Sequence, residues 1–187
     1  MKLVILDRDG VINEDSTDYI KSPEEWRPIP GSLEAIARLN HAGYKVYVAS
    51  NQSGLGRGLF DIEALNAIHL KLHLELQKHG GRIEAILFCP HRPEEACSCR
   101  KPRPGLYQQI AQRTHQSLLD VPIIGDSLRD LEAALAVQAR PILVLTGNGR
   151  RALLELAQHS TPGLAQPETY EDLAQAVDAI LAKVEAS

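Results

Sequence analysis

Asp7 and Asp9 lie two residues apart, directly after the apolar run Leu3 to Leu6. In an extended chain that spacing puts both carboxylates on one face. Two acids so close repel unless a cation bridges them or one keeps a proton. The pair therefore fits a Mg2+ site, or a nucleophile beside an acid/base; a solvated Asp-Gly turn is the plainer alternative. Ser50 and Asn51 bring a hydroxyl and an amide to a turn with glycines at 54, 56 and 58, whose backbone N–H groups suit phosphate oxygens. A capped loop would read the same way. Lys101, within Arg100 to Gly105, could neutralise a carboxylate and a transferring phosphoryl oxygen, or simply be solvated. Gly125-Asp126, with Asp130, adds hard oxygen donors suited to Mg2+, unless Asp126 only caps the next helix.

A second group stands apart from these acids. Cys89, Cys97 and Cys99 fall within 11 residues together with His91. An odd number of thiols so tightly spaced reads as metal ligation rather than a disulfide framework. Three thiols and one imidazole match a closed structural zinc site, with a free-thiol loop as the alternative. His69 and His73 have the i, i+4 spacing of helical zinc ligands, but the Glu of that motif and a third ligand are lacking. They and His79 read as solvated.

The elements needed to position these groups are legible in the apolar pattern. Leu3 to Leu6 has no alternation and suits a strand buried on both faces. Further strands are expected at Tyr44 to Ala49, Ile83 to Phe88, Val121 to Ile124 and Pro141 to Leu145. Between them fall predicted helices: Ser32, as cap, to His41; a long helix from Asp61 with Leu65, Ile68, Leu72 and Leu76 on one side; Gly105 to Gln116; and Leu128 to Val137. A helix from Arg150, a loop with Pro162 and Pro167, and a helix from Glu171 to Val184 complete the chain. This alternation predicts an α/β fold with a doubly wound, mainly parallel sheet, in which ligand sites lie beyond the carboxyl ends of strands. Residues 1–187 read as a single domain without a separate cap. Residues 89–101 form its zinc loop, and Asp15 to Pro30 form a rim over the site.

Composition bounds the rest. Hydrophobic residues at 44% and charged residues at 24% describe an ordinary globular chain of 187 residues. A net charge of −4, with both signs interspersed, offers no broad basic face for nucleic acid or anionic membrane, so phosphate must be met locally. No apolar run is long enough to span a membrane and no signal-peptide pattern is seen, so a cytoplasmic protein is expected, and a monomer.

In this order Asp7-x-Asp9-Gly10, Ser50, Lys101 and Gly125-Asp126 resemble the four motifs of the haloacid-dehalogenase superfamily of phosphohydrolases, with serine where threonine is familiar in the second motif. More narrowly, Leu6 to Gly10, Ser50 to Gly54, and Cys89-Pro90-His91 followed by Cys97 to Pro102 resemble the heptose bisphosphate phosphatase family. Histidinol-phosphate phosphatases are near relatives with a similar zinc loop. The resemblance implies a Mg2+-dependent enzyme that takes the C7 phosphate from a heptose 1,7-bisphosphate, in the making of activated heptose for surface glycans. It implies Asp7 as nucleophile and Asp9 as acid/base holding a proton while Asp7 is ionised. Ser50, Asn51 and Lys101 would hold the phosphoryl group; Asp7, Asp126 and the backbone carbonyl of Asp9 would bind Mg2+. Zinc at Cys89, His91, Cys97 and Cys99 should position Arg100, a candidate substrate contact, together with Lys101. Trp26 is expected to pin the rim loop. Tyr19 stays undecided, and Arg57 is either a basic contact or solvent-facing. The alternatives are a histidinol-phosphate phosphatase, a nucleic-acid 3′-phosphatase, which the charge balance disfavours, and a zinc-stabilised binding module without catalysis.

Overall fold

The structure is a computed structural model that describes residues 1–158, 163, 164 and 166–185. Six strands form one sheet: β1 (Lys2–Leu6), β2 (Tyr44–Asn51), β3 (Ala85–Cys89), β4 (Pro122–Gly125), β5 (Arg140–Val144) and β6 (Glu168–Tyr170). All pairings are parallel, in the spatial order β3-β2-β1-β4-β5-β6. The helices are α1 (Ser32–His41), α2 (Ser53–Gly56), α3 (Ile62–Lys78), α4 (Gly105–Thr114), α5 (Leu128–Ala136), α6 (Gly149–Gln158) and α7 (Leu173–Glu185).

Burial on both faces accounts for the uniform aliphatic run of β1. Val4 and Leu6 pack with residues of α1, α3 and α7, while Leu3 and Ile5 pack on the other face with residues of α4 and α5. Each of these four side chains is 3% exposed or less, which places β1 at the centre of two cores. The three-residue β6 was not expected: Glu168 to Tyr170 is half-buried and lies in the stretch read as a proline loop. Its pairing depends on the edge of β5 and not on its own pattern. Pro162 of that expected loop lies outside the described residues.

Two local readings change. Ser32 does not cap α1; the cap position is Gly31, in the left-handed region at φ 82°, and Ser32 Oγ instead donates to the Ile12 carbonyl at 2.6 Å. The glycine-rich turn after β2 contains the one-turn helix α2. Residues 11–30 form an ordered loop with Val11, Ile12, Ile20 and Trp26 buried. Trp26 does pin it. The indole is 1% exposed in the core, and Lys71 of α3 donates to the carbonyls of Pro23 (2.6 Å) and Trp26 (3.0 Å) while its Nζ lies 5.7 Å from the ring centroid.

Candidate active site

The ends of β1, β2 and β4 and the turn before α4 bring the acidic pair, Ser50, Asn51, Lys101 and Asp126 to one cavity of about 230 Å³. Asp15, Ser16, Tyr19 and Ile20 of the rim loop, and Arg100 of the cysteine loop, complete its wall. Parallel register enforces the convergence: Leu6 lies opposite both Val48 and Ile124, and the Asp7 N–H donates to the Ile124 carbonyl at 2.9 Å. The crossing after β1 leaves no room for side chains. Gly10 has φ +79° and Gly147 has φ +54°, and a Cβ at either would collide with the Asp126 carboxylate.

Lys101 is the cationic centre. It is 2% exposed, and its Nζ lies 3.1 Å from Asp7 Oδ1 and 2.5 Å from Asp130 Oδ1 while donating to the Ala49 carbonyl at 2.7 Å. Burial works against its charge, but Asp130 and Asp7 overcome that and push its pKa up. Asp7 itself is driven well above the usual carboxylate range by burial, with Asp130, Asp126 and Asp9 adding to the rise and Lys101 opposing it. Burial beside Asp130 pushes Asp126 up to about 7, although it accepts from the Asn148 backbone N–H at 2.8 Å.

Asp9 behaves in the opposite way. Burial would raise it, but Arg8 and hydrogen bonds from Asn13 Nδ2 (2.9 Å) and Gln52 Nε2 (2.8 Å) hold it below its ordinary value. Arg8 folds back onto its neighbour with Nε and Nη2 and so favours the ionised form of Asp9, against the proton that an acid role calls for.

Other expected contacts are redirected. Asn51 lines the cavity, but its amide is engaged with the Lys101 main chain, donating to the carbonyl and accepting from the N–H, each at 3.1 Å. It therefore holds Lys101 in place. Ser50 Oγ accepts from Gln52 at 2.8 Å. Asp126 is not the cap of α5; Ser127 is, in a capping box with Asp130. Arg57 does not line the cavity and lies 3.7 Å from Glu94. His69 is not solvated. It is partly buried, 3.2 Å from Arg8 Nη1.

Four residues that the sequence reading left without a role, Arg8, Gln52, Asn148 and Arg129, belong to this site. Gln52 sat visibly inside the Ser-Asn-Gln-Ser-Gly stretch. Arg129 lines both this cavity and a neighbouring basic groove of about 290 Å³ that it shares with Arg100, Lys101 and Arg103. Asn148 Nδ2 reaches the rim at Asp15 (2.7 Å) and also lies 3.3 Å from Asp126.

Two clusters have the donor chemistry for metals. Oxygens of Asp7, Asp126 and Asp130 lie within 4.8 Å of one another, and burial together with their mutual repulsion raises Asp7 and Asp126, a cost that a bound cation would relieve. Both Asp130 oxygens are engaged, by Lys101 and by Ser127 Oγ at 2.5 Å, whereas the partners of Asp7 (Lys101 and the Arg8 N–H) meet its Oδ1 and those of Asp126 (Asn148) meet its Oδ2. In the loop after β3, the atoms of Cys89, His91, Cys97 and Cys99 make edges of 3.5 Å (Cys89 to His91, Cys89 to Cys97, Cys97 to Cys99) and 3.3 Å (His91 to Cys99). Tetrahedral zinc with ordinary bond lengths needs edges of about 3.5 to 3.8 Å. The set is compatible with zinc, and all three cysteines are free thiols. Arg100 donates weakly to the His91 carbonyl (3.4 Å) and Arg103 to that of Cys97 (2.5 Å), so this loop and the cavity wall are mechanically joined.

Comparison with known proteins gives matching family models over residues 98–178, described as HAD-hydrolase-like, and over residues 2–127, described as polynucleotide kinase 3 phosphatase. The chain is 53% identical to the D-glycero-beta-D-manno-heptose-1,7-bisphosphate 7-phosphatase of Bordetella bronchiseptica, over 97% of this chain and 98% of that protein. It is 48% identical to the enzyme of the same name from Pseudomonas aeruginosa, over 96% and 97% of the two chains. The crystal structure of the B. bronchiseptica D,D-heptose 1,7-bisphosphate phosphatase, complexed with magnesium and phosphate, superposes with a TM-score of 0.92 at 52% identity, covering 98% of this chain and 99% of that one.

Proposed function

Since the chain belongs to the haloacid-dehalogenase-like phosphatases that include the heptose-1,7-bisphosphate 7-phosphatases, and is thus a phosphoric monoester hydrolase, we propose that its substrate is D-glycero-D-manno-heptose 1,7-bisphosphate and that it releases the C7 phosphate. The observation that carries this reading is a cavity holding the acidic pair whose wall residues Arg100, Lys101 and Arg129 also line a neighbouring basic groove. A substrate with one phosphate to cleave and a second to recognise needs that layout. The planar forks of Arg100 and Arg129 suit the phosphate that stays. The B. bronchiseptica and P. aeruginosa enzymes, about half identical to this chain, are named for the β anomer, which supports β at C1 here.

Asp7 attacks phosphorus in line as the C7 oxygen leaves, forming an aspartyl-phosphate and splitting one difficult hydrolysis into two steps. Lys101, held by Asp130 and Asn51, meets the developing negative charge on the phosphoryl oxygens, and Ser50, which lines the cavity, donates to them through its hydroxyl. Asp9 gives a proton to the leaving sugar oxygen and then takes one from the water that cleaves the acyl phosphate. Beside Lys101 and a bound cation Asp7 would ionise for the attack, its proton passing to solvent; Asp9, held below its ordinary value, would take the proton it delivers from the substrate, since a phosphate monoester with a second pKa of about 6 arrives partly as the monoanion. A Mg2+ held by Asp7, Asp126 and the Asp9 carbonyl would supply charge neutralisation between two anions that must meet. Zinc at the four-residue cluster would hold the loop that presents Arg100. The enzyme then acts in the cytoplasm, in the synthesis of nucleotide-activated heptose.

Phosphate release with Mg2+ from both heptose bisphosphate anomers, histidinol phosphate and a 3′-phosphorylated oligonucleotide tests the reading. We expect kcat/KM to favour the β-bisphosphate by at least about 10²-fold, with one phosphate lost per sugar. Preference for histidinol phosphate would keep the chemistry and move the enzyme to amino-acid synthesis. Preference for the oligonucleotide would move it to end repair, as the second family model's name suggests.

A further inference from the structure

The buried side chain of Arg8 takes no part in the mechanism above, yet it sits under the acid/base group. It is 0% exposed, and a guanidinium so placed needs partners for its donors. Nε donates to Asp9 Oδ1 (2.9 Å) and Nη2 to Asp9 Oδ2 (3.0 Å). Nη1 lies 3.2 Å from Nε2 of His69 on α3, a residue outside the cavity wall. Arginine has no acceptor, so this contact is a hydrogen bond only if His69 Nε2 presents its lone pair and the ring proton is on Nδ1. A charged His69 would set cation against cation.

We propose that His69 is a positioning residue, a neutral acceptor that fixes the plane of Arg8 and, through it, the carboxylate of Asp9; this rests on the phosphatase reading. Asn13 and Gln52 hold the Asp9 oxygens, but the guanidinium beneath can still swing about that carboxylate. The contact of Nη1 with His69 fixes its far side from another element. The element is stiff: α3 is capped by Asp61, which accepts from the Ala64 N–H at 2.8 Å, and Leu65, Ile68, Leu72 and Leu76 anchor it in the core. The ring of Phe88 at the end of β3 lies 6.1 Å from the imidazole centroid, tilted by 57°. Burial, then Arg8 and to a smaller extent His73, hold the imidazole down to about 3 against the attraction of Asp9, which keeps it neutral at physiological pH.

His69→Phe removes the acceptor, and His69→Gln keeps one in a neutral amide. We expect His69→Phe to lower kcat by about 10²-fold with KM within about twofold of wild type, since a misplaced proton donor affects the chemical step and not binding. His69→Gln should recover most of that loss. Nitrogen-15 NMR of the wild-type imidazole should show an unprotonated Nε2 at pH 7. Wild-type kcat in His69→Phe, an equal loss in both variants, or a protonated Nε2 would each overturn the proposal. The kinetics are run on heptose bisphosphate and on an aryl phosphate. Wild-type failure on the sugar alone refutes the substrate assignment and leaves the His69 comparison readable on the aryl ester, while the NMR reading needs no turnover.

Discussion

Replacing Asp126 by Asn should stabilise the magnesium-free fold while disabling the site. Asp126 is 3% exposed and titrates near 7 in place of its ordinary 3.8. The native state therefore binds more protons than the unfolded chain between those two values, so stability falls as pH rises through that window. The deficit is absent well below 3.8, about 1.5 kcal/mol at pH 5 and fully present above 7, where it amounts to about 4 kcal/mol. The amide still accepts from the Asn148 N–H but as a neutral group, which forfeits about 1 kcal/mol. The net expectation is a gain of about 3 kcal/mol at pH 8 and less than about 1 kcal/mol at pH 5. Urea denaturation of both proteins in magnesium-free buffer without chelator, at the two pH values, measures this directly. Adding Mg2+ at about 100 times its Kd should return about 2.7 kcal/mol to the wild type and little to the variant. A variant less stable at pH 8, or an equal difference at both pH values, would show that Asp126 is not a strained anion.

Asp7→Asn should fold with wild-type near-UV circular dichroism yet lose at least about 10³-fold in kcat, and Asp9→Asn should be nearly as inactive; substantial turnover by either removes its assigned role. Stripping zinc, or Cys99→Ser, should raise KM for the bisphosphate about tenfold or more through displacement of Arg100, and an unchanged KM would uncouple the cysteine loop from the substrate. Trp26→Ala should cost about 3 to 5 kcal/mol of stability and expose residues 11–30 to proteolysis, whereas a loss below about 1 kcal/mol would mean that Lys71 alone holds the loop.

Features that depend on neighbours in the chain were legible before the structure, and those that depend on distant partners were not. The apolar stripe of α3 and the uniform β1 run follow from local periodicity, so both were located within a residue or two. The bounds of α1 match as well, although its cap does not, because Ser32 finds a better acceptor in Ile12 than its own helix offers. The chain places the chemical residues correctly at strand ends because strand ends in a parallel sheet must share an edge. Their protonation was not readable, since it is decided by Arg8 curling onto Asp9 and by Asp130 crowding Lys101 and Asp126. His69 was misread for the same reason: its partner is 61 positions away.

The order of strands also imposes a timetable. Of the described elements β1 is synthesised first, yet it lies between β2 and β4. As a nascent chain leaves the ribosome, β2 can cover one edge early, while the groups of Ile5 and Leu6 that face Ile123 and Ile124 wait for residues made much later. At a translation speed of about 5 to 20 residues per second, the interval between completing β2 and completing β4 is roughly 4 to 15 s. Through that time a strongly aliphatic edge is open to wrong pairing, and Asp7, joined by Lys101 only late in the interval, lacks Asp126 and Asp130. Catalytic competence therefore arrives in one late step. A chain stalled before residue 126 carries Asp7 but neither of those later carboxylates.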